Sequence, residues 1–443
     1  MASPAGGSAV DCLPIGETKA PVALDSRIPQ LDLDPYSADF LAEPYPFYAE
    51  LRDAGPVVWL TRYDLYAVGR YDEVRAVLGD WETFTTNRGF GLTDMALDTP
   101  LVDTPEYAPF KHEPGMDTEG MRMLLDGARA DPPEHAAGRR ILTRLLTPAF
   151  IRGLRERFAR EAEVLVARVV ARGSFDAATD LSDAYVLKML SDTTGLPEEG
   201  REHLIAFGDM AMNTSGPRDQ RYLDSIAAAI PAVTWVEWAC RRENIAAGGF
   251  GERLYEMADD DEITEAEASA FARVFPIAGF DTTASTITNA IHNFVLDPDQ
   301  WELLCDDPSL ARKAFQETMR HDLAPQPLYR TTTREVELSG VTLAPGRKVL
   351  ALLGAANRDP RRFEDPNRFD IRRDASGHIG FGIGIHACAG QMLATLEAEC
   401  LLGALAHHVE RIELDGEPVR RANNTLHTWA KLPVRVKPRA HMP

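Results

Sequence analysis

Residues 381–390 read Phe-Gly-Ile-Gly-Ile-His-Ala-Cys-Ala-Gly and place one cysteine, Cys388, behind a loop with glycines at 382 and 384. A run that favours helix, 391–408, follows directly. The positive end of a helix and the free backbone N–H groups of a tight loop both stabilise a negatively charged sulfur. A thiolate that faces a cavity is a strong ligand for a soft metal centre. The alternative for a single cysteine is packing as a small apolar side chain.

The spacing Phe-Gly-x-Gly-x-His-x-Cys-x-Gly in this stretch resembles the haem-binding signature of the cytochrome P450 monooxygenases. The resemblance extends over the chain after residue 30. It implies a mainly α (α+β) fold, a helix-rich triangular domain with small β-sheets and a long central helix over the haem. It also implies that Cys388 is the axial ligand of the iron in haem b, with Phe381 and Gly390 framing the loop.

Residues 278–283 read Ala-Gly-Phe-Asp-Thr-Thr in the middle of the longest predicted helix. Gly, Asp and Thr have low helix propensity in the interior of a helix. Several such residues together at one point of a helix indicate that they are kept for function. The alternative is a helix bend at the nearby proline with nothing bound. The resemblance implies that Asp281 and Thr282 are catalytic and deliver protons during oxygen activation. Ala278 and Gly279 then leave room over the haem for O2 and substrate.

Haem carries two propionates, which need cations or hydrogen-bond donors when they are buried. Residues 131–139 read Asp-Pro-Pro-Glu-His-Ala-Ala-Gly-Arg, which puts His135 and Arg139 four apart on one helix face. This run is similar to the haem-facing segment of the family, and the resemblance implies that both side chains bind propionates. Arg330 and His386 stand at the remaining family positions. The alternative for His135 and Arg139 is an exposed helix face.

Glu317 and Arg320 are spaced i and i+3 on a predicted helix. In isolation such a pair is common and adds only ~0.2–0.5 kcal/mol. Its place before Cys388 matches the Glu-x-x-Arg pair of the family, so the resemblance implies a structural role. We expect mutation of either residue to cost haem incorporation.

Residues 331–338 and 423–426 resemble the bacterial subfamily that O-demethylates para-substituted benzoic acids. Arg273 matches a carboxylate anchor of that subfamily, although a structural salt bridge is the alternative. Ile277 replaces a flanking serine, and Leu328 replaces an aromatic residue. The expected substrate is therefore a small methoxylated or alkylated aromatic compound, neutral or bulkier than a simple benzoate, for O-demethylation or hydroxylation. The alternative is a terpenoid or macrolide hydroxylase.

The chain of 443 residues carries 47 basic and 68 acidic side chains, a net charge of −21, which speaks against nucleic acid and anionic membrane as partners. Its five cysteines are scattered, no apolar run is long enough to span a bilayer, and no signal peptide is visible. We expect a flexible tail over 1–30, one domain over 31–443, a cytoplasmic location and a monomer.

Basic residues concentrate around the haem-related segments of this acidic chain. They predict a docking site for an acidic [2Fe–2S] ferredoxin, which would pass NAD(P)H electrons from a reductase, with O2 as co-substrate. Ordinary solvated charge is the alternative. A peroxygenase driven by hydrogen peroxide and a non-catalytic haem protein are further alternatives, against which the Asp281–Thr282 pair argues. The basic residues are Arg139, Arg140, Arg144, Arg358, Arg361, Arg362, Arg372 and Arg373.

Helical periodicity dominates the chain after residue 130, and a capping box opens the longest helix. Residues 57–60 and 65–68 predict a hairpin, and 331–353 contains short β-type runs. The irregular segment 85–130 is expected to roof the substrate pocket. The predicted helices cover 44–54, 71–78, 132–146, 152–172, 181–194, 198–211, 221–242, 264–296, 299–322 and 391–408.

Overall fold

A computed structural model of the chain describes residues 24–89, 91–94 and 130–439. The expected pocket roof falls largely on 95–129 and so lies outside the described residues. Helices dominate the described part. In chain order they are α1 Ala38–Ala42, α2 Tyr45–Ala54, α3 Tyr71–Gly79, α4 Glu134–Leu145, α5 Pro148–Val170, α6 Ala184–Thr194, α7 His203–Asn213, α8 Gln220–Ala239, α9 Phe250–Asp259, α10 Glu265–Leu296, α11 Pro298–Asp306, α12 Ala311–His321, α13 Leu353–Asn357 and α14 Gln391–His408.

The β component consists of one six-stranded sheet and three smaller sheets within the described ranges. The large sheet has the strand order β1-β2-β3-β9-β6-β4, and β10-β13-β5, β11-β12 and β7-β8 form the others. The strands are β1 Gln30–Leu31, β2 Val58–Leu60, β3 Leu65–Val68, β4 Phe84–Thr85, β5 Ser174–Asp176, β6 Pro327–Thr332, β7 Val336–Leu338, β8 Val341–Leu343, β9 Lys348–Leu352, β10 Val409–Leu414, β11 Val419–Arg421, β12 Thr428–Lys431 and β13 Pro433–Pro438.

Helix α10 is the central element and begins at the predicted capping box. The Thr264 hydroxyl accepts from the Glu267 backbone N–H at 3.1 Å, and the Glu267 carboxylate accepts from the Thr264 N–H at 2.7 Å. The helix continues through Pro276 for 32 residues, and most of its second half is buried. It packs against α6, α7, α9, α12 and α14, so side chains at its midpoint reach the interior of the molecule.

Helix α14 also agrees with its predicted bounds. It packs against α5 and α12, which places its first turn, and the cysteine loop before it, beside the core. None of the described helices has an apolar stretch long enough to cross a bilayer. The mainly helical α+β fold expected from the sequence is therefore confirmed.

Three local features differ from the sequence-based expectations. The helical run predicted over 299–322 is interrupted, because Pro308 cannot continue α11 and the Asp307 carboxylate accepts from the Ser309 N–H at 3.1 Å. A π-helical turn, Ala177–Asp183, precedes α6. Ile28 is buried and Gln30 pairs with Trp59, so packed structure begins inside the segment expected to be a tail.

Candidate active site

A cavity of about 1050 Å³ separates the middle of α10 from the cysteine loop. Cys388 lines one side and Thr282 lines the side formed by α10. The structure thus brings together two motifs that lie more than a hundred residues apart in the sequence. Other predicted residues on the wall are His135, Arg139, Ala278, Gly279, Leu328, Phe381, His386 and Gly390.

The loop before Cys388 is shaped by its own backbone. Gly382 and Gly384 have φ angles of 70° and 73°, a left-handed conformation that side chains other than glycine rarely adopt. The Cys388 N–H donates to the Phe381 carbonyl at 2.8 Å, which closes the loop. Arg139 of α4 donates to the Ala387 carbonyl at 2.5 Å and ties the loop to the opposite wall. These contacts fix the direction of the cysteine side chain.

Cys388 is a free thiol whose exposed surface faces the cavity. Burial raises the pKa of this thiol, while the Gly390 N–H, the Arg139 charge and the Gln391 N–H act in the opposite sense. The last of these belongs to the first residue of α14. The sulfur is thus placed among donors that favour a thiolate, and a bound metal cation would complete the deprotonation.

Several polar side chains at the edge of the cavity form a cluster around Asp131. The carboxylate is joined to His386 Nε2 at 2.9 Å and accepts from the Thr86 hydroxyl at 2.9 Å. The His135 ring lies 4.6 Å from the His386 ring, centroid to centroid. Burial, with the nearby His386 and Arg139, lowers the pKa of His135. The edge therefore offers imidazole and guanidinium donors rather than a neutral apolar wall.

Arg330 of β6 is a buried cation with donor capacity to spare. One Nη donates to the Tyr329 carbonyl at 2.8 Å, whereas the buried Nε has no hydrogen-bond partner among the described residues. Burial lowers the pKa of Arg330 to about 10, against the opposing charge of Asp131. An unpartnered donor on a buried guanidinium is costly, so this position fits an anionic group bound in the cavity.

Glu317 and Arg320 of α12 are both fully buried and form a bidentate pair with two N–O distances of 2.8 Å. Arg320 also donates to the carbonyls of Asn357, Pro366 and Arg368 at 2.8–3.1 Å. The exposed-pair alternative does not describe this geometry. The pair fastens the segment that leads into the cysteine loop to the helix beneath it.

Asp281 and Thr282 point in different directions from α10. Thr282 lines the cavity, and its hydroxyl donates to the Ala278 carbonyl at 2.9 Å. Asp281 is 2% exposed, does not line the cavity and accepts from Arg421 at 2.5 Å and from Ser285 at 3.3 Å. The Asp281 carboxylate thus binds Arg421 on the helix face that points away from the cavity, whereas the Thr282 side chain faces the cavity.

The α10 face that lines the cavity is apolar next to Thr282. It consists of Phe271, Val274, Phe275 and Ala278, spaced three to four residues apart as one helix face requires. Arg273 and Ile277 do not line the cavity, because they lie on other faces of the same helix. Their role as substrate contacts stays a prediction from the sequence, whereas Leu328 of β6 does line the wall.

Some polar residues at the site were not singled out from the sequence. Asp131 stands in a quoted motif but had no assigned role, and Arg421 carries no local signal, because its contact with Asp281 spans 140 residues. Glu397 of α14 lines the cavity, is 1% exposed and has one oxygen without a described partner. Burial raises the pKa of Glu397 and thereby favours its neutral form.

Comparison with known proteins identifies the family. A model of cytochrome P450 matches residues 308–438. Cytochrome P450 CYP199A2 of Rhodopseudomonas palustris is 42% identical over 412 residues, which cover 93% of this chain and 95% of that protein. The chain belongs to the cytochrome P450 family. The cytochrome P450 monooxygenase PikC of Streptomyces venezuelae is 31% identical over 92% of this P450 and 94% of its own length.

Solved structures agree with the assignment. The crystal structure of CalO2 matches with a TM-score of 0.76 and 26% identity, over 92% of this chain and 99% of that one. The P450 CREJ, in complex with (4-ethylphenyl) dihydrogen phosphate, matches with a TM-score of 0.79 and 25% identity, over 91% of this chain and 99% of that one. This P450 is therefore a monooxygenase, and its family implies haem. The residues fit that group, because a free thiol, two imidazoles and a guanidinium line one cavity. Arg330, which is buried outside the described wall, has a spare donor.

Proposed function

We propose that this P450 O-demethylates or hydroxylates a small, uncharged aromatic compound that carries a methoxy or alkyl group. The observation that carries the proposal is the apolar wall beside Thr282, formed by Phe271, Val274, Phe275 and Leu328. Among the described residues the only arginine or lysine on the cavity wall is Arg139, which donates to the cysteine loop. A substrate carboxylate therefore has no free cation at this part of the wall.

The size of the cavity favours a small substrate over a macrolide. Pockets for single drug-sized ligands measure roughly 300–1,000 Å³. The 1050 Å³ cavity has to hold haem as well as the substrate. The P450 CREJ, a structural neighbour, has been solved with (4-ethylphenyl) dihydrogen phosphate, which shares the alkylated aromatic ring of the proposed substrate but adds a charged phosphate.

The geometry above supports a set of residues that would hold haem. Cys388 would bind the iron, and Phe381 and Gly390 bound the loop around it. His135, Arg139, His386 and the spare donor of Arg330 would bind the propionates, while Ala278 and Gly279 would leave room for O2 and substrate. When bound, haem supplies the site at which O2 is reduced by two electrons and one oxygen atom is inserted into a substrate C–H bond.

The residues of α10 manage the protons. O-Demethylation consumes O2, two electrons and two protons and yields the phenol, formaldehyde and water. Thr282 holds a hydroxyl at the cavity surface, where it passes protons inward, and Asp281 one position earlier supplies them. General acid catalysis of this kind contributes about 10²–10⁴-fold to a rate.

The electrons come from an acidic ferredoxin that docks near the cysteine loop. Six of the eight arginines proposed for this face have partners within the protein. Arg139, Arg358 and Arg373 are held on the inside, whereas Arg144, Arg361 and Arg362 contact Glu262, Asp359 and Tyr71 with exposed side chains. Arg140 and Arg372 are exposed as well, so five exposed guanidinium groups can attract an acidic partner.

Titration of the ferric enzyme with a matched pair of compounds tests the substrate proposal. We expect 4-methylanisole to shift the haem to high spin, and 4-methoxybenzoate to do so more weakly, because its carboxylate meets an apolar wall. Turnover of 4-methylanisole with ferredoxin and reductase should give formaldehyde if the methoxy group is attacked. Stronger binding of the benzoate, or no spin shift with any small aromatic, would contradict the proposal.

A further inference from the structure

A buried lysine lies in the large sheet. Lys348 is the first residue of β9, which reads Lys-Val-Leu-Ala-Leu, and all five residues of that strand are buried. Only 2% of Lys348 is exposed. Removing an ammonium group from water is unfavourable unless the protein supplies acceptors for its N–H groups. A cation kept in an otherwise apolar strand therefore indicates a specific task.

Two backbone carbonyls accept hydrogen bonds from this ammonium group. Lys348 Nζ donates to the carbonyl oxygens of Arg88 and Gly89, at 2.8 Å in each case. The sheet register explains this reach, because Lys348 pairs with Thr331 of β6 and Thr331 pairs with Thr85 of β4. Lys348 thus reaches across β6 to the chain that follows β4. A lysine suits this position, since its compact charge sits on a flexible stem.

The two carbonyls belong to a tight turn over residues 86–89. The Gly89 N–H donates to the Thr86 carbonyl at 2.9 Å, and Gly89 has a φ of 95°, a conformation that favours glycine. The ladder between β4 and β6 ends at Thr85, so the carbonyls of Arg88 and Gly89 are not part of it. Lys348 therefore supplies the turn with donors from inside the protein.

This turn also carries part of the cavity edge. Asn87 lines the cavity, and its side-chain oxygen accepts from the Asp131 N–H at 2.8 Å. The Thr86 N–H and hydroxyl donate to the Asp131 carboxylate at 3.1 and 2.9 Å. The same hydroxyl lies 3.3 Å from His386 Nε2. These contacts transmit the position of the turn to Asp131 and His386.

We propose that Lys348 is a positioning residue, which holds the turn 86–89 and thereby keeps Asp131 and His386 in place at the edge of the haem. This proposal rests on the proposed role of His386 in binding a propionate. Lys348 is not among the described residues that line the cavity, so it acts through the turn. Loss of the ammonium group should loosen the cavity edge and leave the Cys388 loop closed by its own backbone.

Haem transfer from the ferric holoenzyme to apomyoglobin tests the proposal without any substrate. Lys348→Met keeps nearly the length of the side chain and removes its charge, and we expect it to lose haem roughly tenfold faster than the wild type. Arg347→Met is the matched control, because it removes the adjacent buried cation, which binds Asp64 at 2.7 Å. Both variants should unfold at a lower temperature, but only Lys348→Met should release haem faster. Equal rates of haem loss in the two variants would overturn the positioning role.

A second variant disturbs the turn and leaves Lys348 unchanged. Gly89→Ala places a Cβ at a φ of 95° and should also accelerate haem loss. Gly340→Ala is its control, because Gly340 has a φ of 81° in the turn between β7 and β8. Haem loss that stays at the wild-type rate in Gly89→Ala, or that rises equally in Gly340→Ala, would contradict the proposal.

A double-mutant cycle with His386→Ala shows whether Lys348 acts through this histidine. We expect His386→Ala to lose haem faster than the wild type, and the double variant to lose it no faster than His386→Ala. An unchanged rate in His386→Ala would overturn the assignment of His386 and this proposal with it. Faster loss in His386→Ala beside an unchanged rate in Lys348→Met would leave the His386 assignment standing and overturn only the role of Lys348.

Discussion

On the cysteine side of the cavity, one stretch of ten residues supplies the thiol, the glycine turns and the backbone bond that closes the loop. On the Asp281 side, charged side chains from separate segments meet. Arg421 of β11 binds Asp281 of α10, and its Nε lies 3.9 Å from Asp209 Oδ1 of α7. The first arrangement depends on local backbone geometry. The second depends on tertiary packing that brings Arg421 to Asp281 across 140 residues.

This difference indicates which properties each side controls. A loop closed by its own backbone needs few outside contacts to hold the thiol in one direction, which suits a fixed metal ligand. Ion pairs between distant segments instead depend on packing and on the charge of each partner. We therefore assign the metal ligand to the local side and propose proton supply for the assembled side.

The largest effect is expected from removing the ligand on the local side. Cys388→Ser should abolish monooxygenase activity, because a serine hydroxyl is a poor ligand for the iron of a thiolate enzyme. Thermal unfolding of the haem-free protein should hardly change, since the side chain faces a cavity. Turnover assays and calorimetry check both parts. Cys400→Ala, in helix α14 that follows the cysteine loop, is the control, and loss of activity in that variant too would contradict the assignment.

The next largest effect is expected from breaking the Glu317–Arg320 ion pair, which supports the cysteine loop. Glu317→Gln leaves the buried Arg320 without its full counter-charge, which costs about 3–5 kcal/mol of unfolding free energy. Haem content should fall with it. Glu410→Gln removes one partner of an exposed pair with Lys437 and should cost less than about 1 kcal/mol. Equal costs in the two variants, measured by denaturant unfolding, would contradict the structural role of Glu317.

On the assembled side, Asp281→Asn should lower kcat by about 10²-fold while the haem spectrum stays unchanged. Thr282→Ala should divert electrons from product to hydrogen peroxide. Thr288→Ala is a matched control, because Thr288 makes the same 2.9 Å bond to the carbonyl four residues earlier but does not line the cavity. Peroxide release that rises equally in both threonine variants would rule out a specific role for Thr282.

The last prediction concerns the pH dependence of stability and leaves activity aside. Burial, together with the Asp281 charge, raises the pKa of Asp183 from 3.8 to about 7, so the folded state binds a proton more tightly than the unfolded chain. The free energy of unfolding should therefore fall, relative to Asp183→Asn, as the pH rises from 3.8 to about 7, and level off above. Thermal unfolding of both proteins over this range is the measurement. A difference that does not vary with pH would contradict the raised pKa.

The same contrast explains what the sequence could predict. Helix α14 and the start of α10 were predictable, because caps and periodicity are local. The site on the cysteine side followed from one motif and its spacing. Arg421 was not predictable, since no short-range pattern marks its partner. Arg273 and Ile277 stay predicted substrate contacts, although the described cavity wall does not include them, because the sequence alone did not fix the orientation of α10.

The most direct test of the account is the absorption spectrum of the reduced, carbon monoxide-bound enzyme. If Cys388 binds the iron as a thiolate, the wild type should show the long-wavelength Soret band of thiolate-ligated haem. Cys388→His, if it binds haem, should show the shorter-wavelength band of histidine ligation. A wild type that shows only the shorter-wavelength band while folded and haem-loaded, or a Cys388→His variant that keeps the thiolate band, would contradict the central claim.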